Sequence, residues 1–490
     1  MANRNRRHHD LGGGRGGGRR PGRRAGPGAR GRGAGGARGA RAAATALDAV
    51  EPELAAVAGE RFDKPLDYDE SGPFAGVPFA LKDLIAHAGG VPSRSGSRLF
   101  GAGVAHPEDT HLVARFRRAG LAIGAITRSP EFGFNATTEA IAYGGPSRNP
   151  WATDRSPGGS SGASAALVAS GALPMAHAND GGGSIRIPAA ACGAVGLKPS
   201  RGRTTPGPDF ADPLLGLGIE FAVTRTVRDC ARLLDAVHGA EPGDRYLLPG
   251  PVRSYAEHAA AGSRPLRIAV TTTPMDAGRA VDPECVAAVN RVAERLAELG
   301  HVVEEAAPEL DVAAFDKANL DAWCSFLADA VLGASAQLGV QPSREYLEAT
   351  TLACVEYGKT LSAFDIFAAD RVFNQTTRAV ASFFTRYDVL LTPTTSAPPI
   401  PLGHLDADDA SLSAREWYDR IFDYGSFTAL FNVTGMPAIS LPLAESTAGL
   451  PIGIQFAGRY GDEATLLALA GDLERAMPWA DRRPAVHVGR

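Results

Sequence analysis

Two glycine-bounded serine clusters, Gly158-Gly159-Ser160-Ser161-Gly162 and Gly181-Gly182-Gly183-Ser184, set Ser160 and Ser184 24 residues apart. A lysine, Lys82, closes the apolar run Gly-Val-Pro-Phe-Ala-Leu ahead of them. A serine hydroxyl attacks a carbonyl only after losing its proton. Where no histidine is evidently placed to take it, a lysine can, provided burial leaves the amine neutral. A lysine at the end of a buried strand is costly without a partner or a task, which makes Lys82 the candidate base. Backbone N–H groups of Gly181, Gly182, Gly183 and Ser184, with no side chains in the way, can hold an oxyanion. Asp180 either orients that nest by hydrogen bonding or caps an ordinary turn. Taken singly, each feature is a common turn or a surface lysine; together they are a strong signal for an activated serine.

Other chemistries fit less well. Gly158–Gly162 satisfies the G-x-S-x-G pattern of a nucleophile elbow, but the polar, proline-bounded loop 149–157 stands where that elbow needs an apolar strand. Residues 193–199 end in Gly-Leu-Lys-Pro and lack the Gly-Lys-[Ser/Thr] of a phosphate loop. Five scattered cysteines show no CxxC spacing, and the histidines include no HExxH pair, so no metal is expected and the thiols suit a reducing cytoplasm.

The elements that must position these residues alternate. Residues 42–58 read as a helix, 76–81 as a short buried strand delivering Lys82, 111–119 as a helix and 121–127 as a strand. A loop over 144–161 precedes a small-residue helix over 163–172. A strand over 173–177 leads into the glycine loop 179–184. Strands at 267–271, 301–304, 387–391, 438–443 and 452–456, with helices at 283–299 and 463–477, complete an α/β pattern. The glycine-poor stretch 311–384 reads as a helical insertion over one edge of the sheet. No linker separates domains after residue 45, so residues 46–490 are expected to form one catalytic domain.

The 490 residues are 44% hydrophobic and 21% charged, a globular composition. The net charge of −4 conceals two unlike pieces. Residues 1–45 hold twelve arginines against one acid, Asp10, for +11; the remainder holds 38 basic and 53 acidic residues, for −15. The Arg/Gly-rich tail has too few apolar side chains to offset the entropy of ordering it, so it reads as disordered, or as a start taken out of frame. It lacks the apolar core of a signal peptide, and no aromatic is interleaved to stack on bases, so no nucleic-acid partner is expected. No apolar run reaches the ~18 residues of a membrane span.

The stretches Gly-Val-Pro-Phe-Ala-Leu-Lys82-Asp, Pro-Gly-Gly-Ser160-Ser-Gly-Ala-Ser-Ala-Ala and Asp180-Gly-Gly-Gly-Ser184-Ile-Arg-Ile-Pro-Ala-Ala-Ala-Cys-Gly resemble, in order and spacing, the amidase signature family. The likeness runs from about Pro52 to Trp479 and includes Phe431-Asn-Val-Thr-Gly-Met-Pro. It implies a large mixed central sheet covered by helices on both faces. It also implies a Ser-cisSer-Lys triad: Ser184 as nucleophile, Ser160 as the bridging serine after a non-proline cis peptide, Lys82 as general base. The oxyanion would rest on Gly181–Ser184, and no cofactor is needed. Within the family, Ser71-Gly-Pro-Phe-Ala-Gly and Met477-Pro-Trp-Ala-Asp-Arg-Arg-Pro resemble members that open a cyclic amide, the 6-aminohexanoate cyclic dimer. Asn135 and Cys324 lie near stretches that line the acyl pocket of such relatives. Arg186 is read as structural. The chain departs from the family with Asn179-Asp180-Gly181 where a Thr-Asp-Thr triplet is usual. The partners implied are a small amide and water, with a homodimer open. Two other readings remain: the amide-transfer component of a tRNA-dependent amidotransferase, and a non-catalytic binding protein with an RNA-contacting tail.

Overall fold

Eight strands form the central sheet, in the order Val302–Glu305, Arg267–Val270, Val389–Pro393, Pro451–Gly458, Ala438–Glu445, Val195–Lys198, Ile219–Thr224 and Met175–Asp180. The first three pair in parallel and the others antiparallel, so the sheet is mixed, as expected. The structure, a computed structural model, describes residues 29–274 and 278–489.

Residues along the central strands alternate between two apolar clusters. Ile268, Val389, Leu391, Ile439 and Phe456 belong to one; Ala269, Leu390, Ala438 and Ala457 belong to the other. Period-two alternation places the clusters on opposite faces, and both faces are covered. Strands buried on both sides read as unbroken apolar runs, which is why these were visible in the sequence.

The stretch expected as a helical insertion forms three helices, Val312–Leu338, Ala349–Thr360 and Ala363–Phe383. They were expected over a sheet edge. Instead Phe315, Trp323, Leu327 and Val331 of the first join the cluster based on Ala269, Leu390, Ala438 and Ala457, so the helices cover a face. The alternation decides this: that face offers apolar surface wide enough to bury a helix stripe.

Strand Val77–Lys82 pairs in parallel with Leu121–Thr127 and packs beside Met175–Asp180. The Lys82 backbone N–H donates to His177 Nδ1 at 3.2 Å, tying the two structures together at the lysine.

Some local expectations change. Asn179 and Asp180 end a strand rather than open a loop, paired opposite Glu220 and Ile219. The strands Val195–Lys198 and Ile219–Thr224 were not anticipated. The first helix spans Ala29–Leu54 rather than 42–58, so residues 29–45, expected to be disordered, are helical; residues 1–28 of that tail lie outside the described residues. Leu47, Val50 and Leu54 dock on the core and fix a helical nucleus, from which Ala and Arg extend the helix against the cost of the glycines between residues 31 and 39. It ends where the Glu51 carboxylate accepts from the N–H groups of Ala56 and Val57.

Candidate active site

Ser160 and Ser184 line one cavity, and Lys82 lies behind it, in contact with Ser160. Lys82 is 1% exposed, and its Nζ lies 2.6 Å from Ser160 Oγ while donating to Asn179 Oδ1 at 2.5 Å. Burial draws the ammonium pKa down to about 7, against the raising pull of the Glu220 and Asp180 carboxylates. A large fraction of Lys82 is therefore neutral near pH 7, as a proton acceptor requires. Lys198 is buried too, and its pKa also falls, through burial and then through Arg186, but its Nζ donates to the Pro199 carbonyl and meets no serine.

Ser160 follows a cis peptide bond with Gly159, as the family resemblance implied. A Cβ on Gly159 would run into the Thr137 backbone, so this turn can pass only as glycine. Ser160 and Ser184 both line the cavity, with Asn179, Asp180 and Gly181 between them.

Asp180 anchors the loop that carries Ser184. Its Oδ1 accepts from Gly183 N at 2.7 Å and its Oδ2 from Ile185 N at 3.1 Å, one on each side of Ser184. Arg186 binds both oxygens at 2.8 and 2.9 Å, and reaches the Thr428 carbonyl, Gln455 Oε1 and Asn432 Oδ1. Asn432 Nδ2 returns to Asp180 at 2.8 Å. Burial would raise the Asp180 pKa, but Arg186 and Asn432 overcome it and hold the carboxyl at about 2. Asp180 accepts local N–H groups, as both readings of it require, and is held besides by Arg186 and Asn432. Arg186 is fully buried in this network, as its structural reading anticipated. The Gly183 N–H, expected among the oxyanion donors, is already given to Asp180, which narrows that donor set to Gly181, Gly182 and Ser184.

Asn135 and Cys324 do not line the cavity. Asn135 donates to the Leu405 carbonyl and accepts from Thr137 N, holding its own loop. Cys324 is fully buried within the helical cluster, against the helix that carries Cys354 and Gly358. One turn position decides this: the neighbouring Trp323 and the following Phe326 face the cavity instead. Sequence reasoning missed Asn179, His177, Glu220 and Trp323. For Asn179 and Gly181 a signal existed in their departure from the family triplet. Gly181 has no positive φ; it leaves room for a neighbour, because a Cβ there would stand 3.0 Å from Leu214 and from the Trp323 ring.

Among the described residues one grouping, His87, His106 and Asp209, brings potential metal ligands within 4.8 Å. It lies outside this cavity. The two imidazoles stack face to face at 3.8 Å, and His87 Nδ1 lies 3.2 Å from the Ile85 carbonyl oxygen, so the rings engage each other rather than a shared centre. No helix among the described residues is long and apolar enough to cross a membrane.

Comparison with known proteins agrees with this geometry. The sequence profile of the family described as Amidase matches residues 39–467. The 6-aminohexanoate-cyclic-dimer hydrolase of Paenarthrobacter ureafaciens is 39% identical, over 89% of this chain and 91% of its own. A solved structure of a 6-aminohexanoate cyclic dimer hydrolase superposes with a TM-score of 0.83 at 36% identity, covering 91% of this chain and 94% of the other. A bacterial aryl acylamidase of the amidase signature enzymes superposes with a TM-score of 0.78 at 27% identity, with 92% and 96% covered. Fold, sequence and cavity thus agree, and the chain belongs to the amidase signature family, as an enzyme that hydrolyses carboxylic amides.

Proposed function

We propose that Ser184 is the nucleophile, Ser160 the proton bridge and Lys82 the general base of this amidase. The observation that carries the reading is the buried Lys82 amine, near neutrality in its titration and 2.6 Å from Ser160 Oγ. Neutral Lys82 takes the Ser184 proton through Ser160 as Ser184 Oγ attacks the amide carbonyl. Backbone N–H groups of Gly181, Gly182 and Ser184 hold the tetrahedral oxyanion. The proton passes back through Ser160 to the leaving nitrogen, the C–N bond breaks, and an acyl-enzyme remains. Water then repeats the cycle: it gives its proton to the relay, attacks the ester, and releases the acid and free Ser184. No step calls on a cofactor.

For substrate we propose a cyclic amide, as the name of the 39% identical hydrolase suggests. The test is hydrolysis by purified protein of a panel: the 6-aminohexanoate cyclic dimer, a linear aliphatic amide, an aryl amide and glutamine. Preferred turnover of the cyclic dimer is expected. Turnover of glutamine alone would favour the amide-transfer reading, and turnover of none would overturn the proposal.

A further inference from the structure

Among the described residues the Lys82 amine hydrogen-bonds to two side chains, and one of them stands outside the proton relay. Ser160 Oγ lies 2.6 Å from Nζ, and Asn179 Oδ1 accepts from Nζ at 2.5 Å. Asn179 is 5% exposed and is held from both ends. Its backbone N–H and carbonyl both meet the Ser161 hydroxyl at 3.3 Å, and its Nδ2 donates to the Leu84 carbonyl at 3.1 Å. That last contact fixes which way the amide faces. Turned over, Oδ1 would stand against the Leu84 carbonyl, acceptor against acceptor, with the NH2 against the amine. Oδ1 therefore faces Nζ whether the lysine is charged or neutral.

A neutral amine has two N–H bonds and one lone pair, and it acts as a base only when that lone pair is turned to the proton it takes. With one N–H given to Asn179, the Ser160 contact is left for the lone pair. Once Lys82 has taken the proton, the ammonium keeps both contacts, so nothing has to move. Asn179 also carries no charge. The carboxylates that act on Lys82, Glu220 and Asp180, already favour the ammonium, and His177 meets the Lys82 backbone rather than its amine. A third carboxylate, against Nζ itself, would hold the proton there. Resting on the reading of Lys82 as the base, we propose that Asn179 is a positioning residue: its amide aims the Lys82 lone pair at Ser160 and, being neutral, lets the amine give the proton back.

The test reads Lys82 directly. The chain has five lysines, Lys64, Lys82, Lys198, Lys317 and Lys359, so NMR of isotope-labelled lysine at its ε carbon follows each through a pH titration, and Lys82→Arg identifies the Lys82 signal. In the wild type that signal should titrate at about pH 7. Asn179→Asp keeps the shape and the oxygen but adds a charge. Its Lys82 midpoint should rise by about one pH unit or more, and kcat at pH 7 should fall about fivefold or more and recover at higher pH. Asn179→Ala removes the acceptor, so kcat should fall about tenfold or more even on the alkaline plateau, where Lys82 is neutral in either protein. Thermal melts confirm that the variants fold, and where the aspartate variant does not, the alanine variant decides alone. An Asn179→Asp protein whose Lys82 midpoint stays at the wild-type value, or an Asn179→Ala protein with the wild-type plateau, overturns the proposal. A Lys82 midpoint that moves while the pH dependence of kcat does not is a different result, and overturns the reading of Lys82 as the base instead.

Discussion

On one side of the cavity, Asp180 has both carboxylate oxygens engaged, by two backbone N–H groups, Arg186 and Asn432. Glu220, which also lines it, has one oxygen held by His177 and one without a partner among the described residues. Both carboxylates are buried, and both pull on Lys82. The difference teaches what each side is for. A fully satisfied network has one arrangement, and the loop it holds carries the proposed nucleophile.

The comparison can be broken first at Lys82, on which both carboxylates act. Lys82→Ala should lower kcat/KM by several orders of magnitude while the fold persists. In the wild type, kcat/KM should rise with pH to a plateau above about 7, since only the neutral amine accepts a proton. A flat profile from acid to alkaline pH would show that Lys82 is not the base.

Next in size is the anchor. Arg186→Met leaves the Asp180 carboxylate buried without its counter-ion, and breaking a buried pair from one side costs about 3–5 kcal/mol. Urea unfolding should report that loss, with activity falling as the nucleophile loop loosens.

A smaller effect lies away from the cavity, at the start of the Ala349–Thr360 helix. Burial, and then the neighbouring Glu131, raise the Glu348 carboxyl to about 8. An acid that binds its proton more tightly when folded stabilises the protein fully below its unfolded pKa, and that contribution disappears as pH rises through the folded value. Glu348→Gln should therefore flatten the decline of Tm between about pH 4.5 and pH 8. A variant whose Tm falls as steeply as that of the wild type would contradict this.

Least of all should come Cys324→Ala, which trims a buried side chain beside, but not on, the wall. It is expected to cost about 1 kcal/mol of stability and to leave KM unchanged. A rise in KM would return Cys324 to the substrate contacts.

The floor was far more legible in the sequence than the wall. Lys82, Ser160 and Ser184 sit in local contexts, a strand end and two glycine turns, whose punctuation carries its own physical meaning. The central strands announced themselves because they are buried on both faces. The strands Val195–Lys198 and Ile219–Thr224 did not: the first is four residues long and ends on Lys198, and Glu220 interrupts the apolar run of the second. Glu220 is a buried polar group on the cavity, so the site obscured the pattern there. Trp323 was invisible for the opposite reason. Along the Val312–Leu338 helix it looks like any core aromatic, and only tertiary packing shows that it meets Gly181. The choice between Cys324 and Trp323 is one step of helix rotation, finer than apolar spacing resolves. The helix over residues 29–45 escaped because composition weighs glycine against order, whereas docking of Leu47, Val50 and Leu54 decides locally.

The central claim is that Ser184 attacks the amide carbonyl. Its most direct test is the rate at which folded Ser184→Ala protein hydrolyses the 6-aminohexanoate cyclic dimer, beside wild type under the same conditions. A fall of at least about a thousandfold with an unchanged melting temperature is predicted; a folded variant that retains substantial turnover would contradict the account.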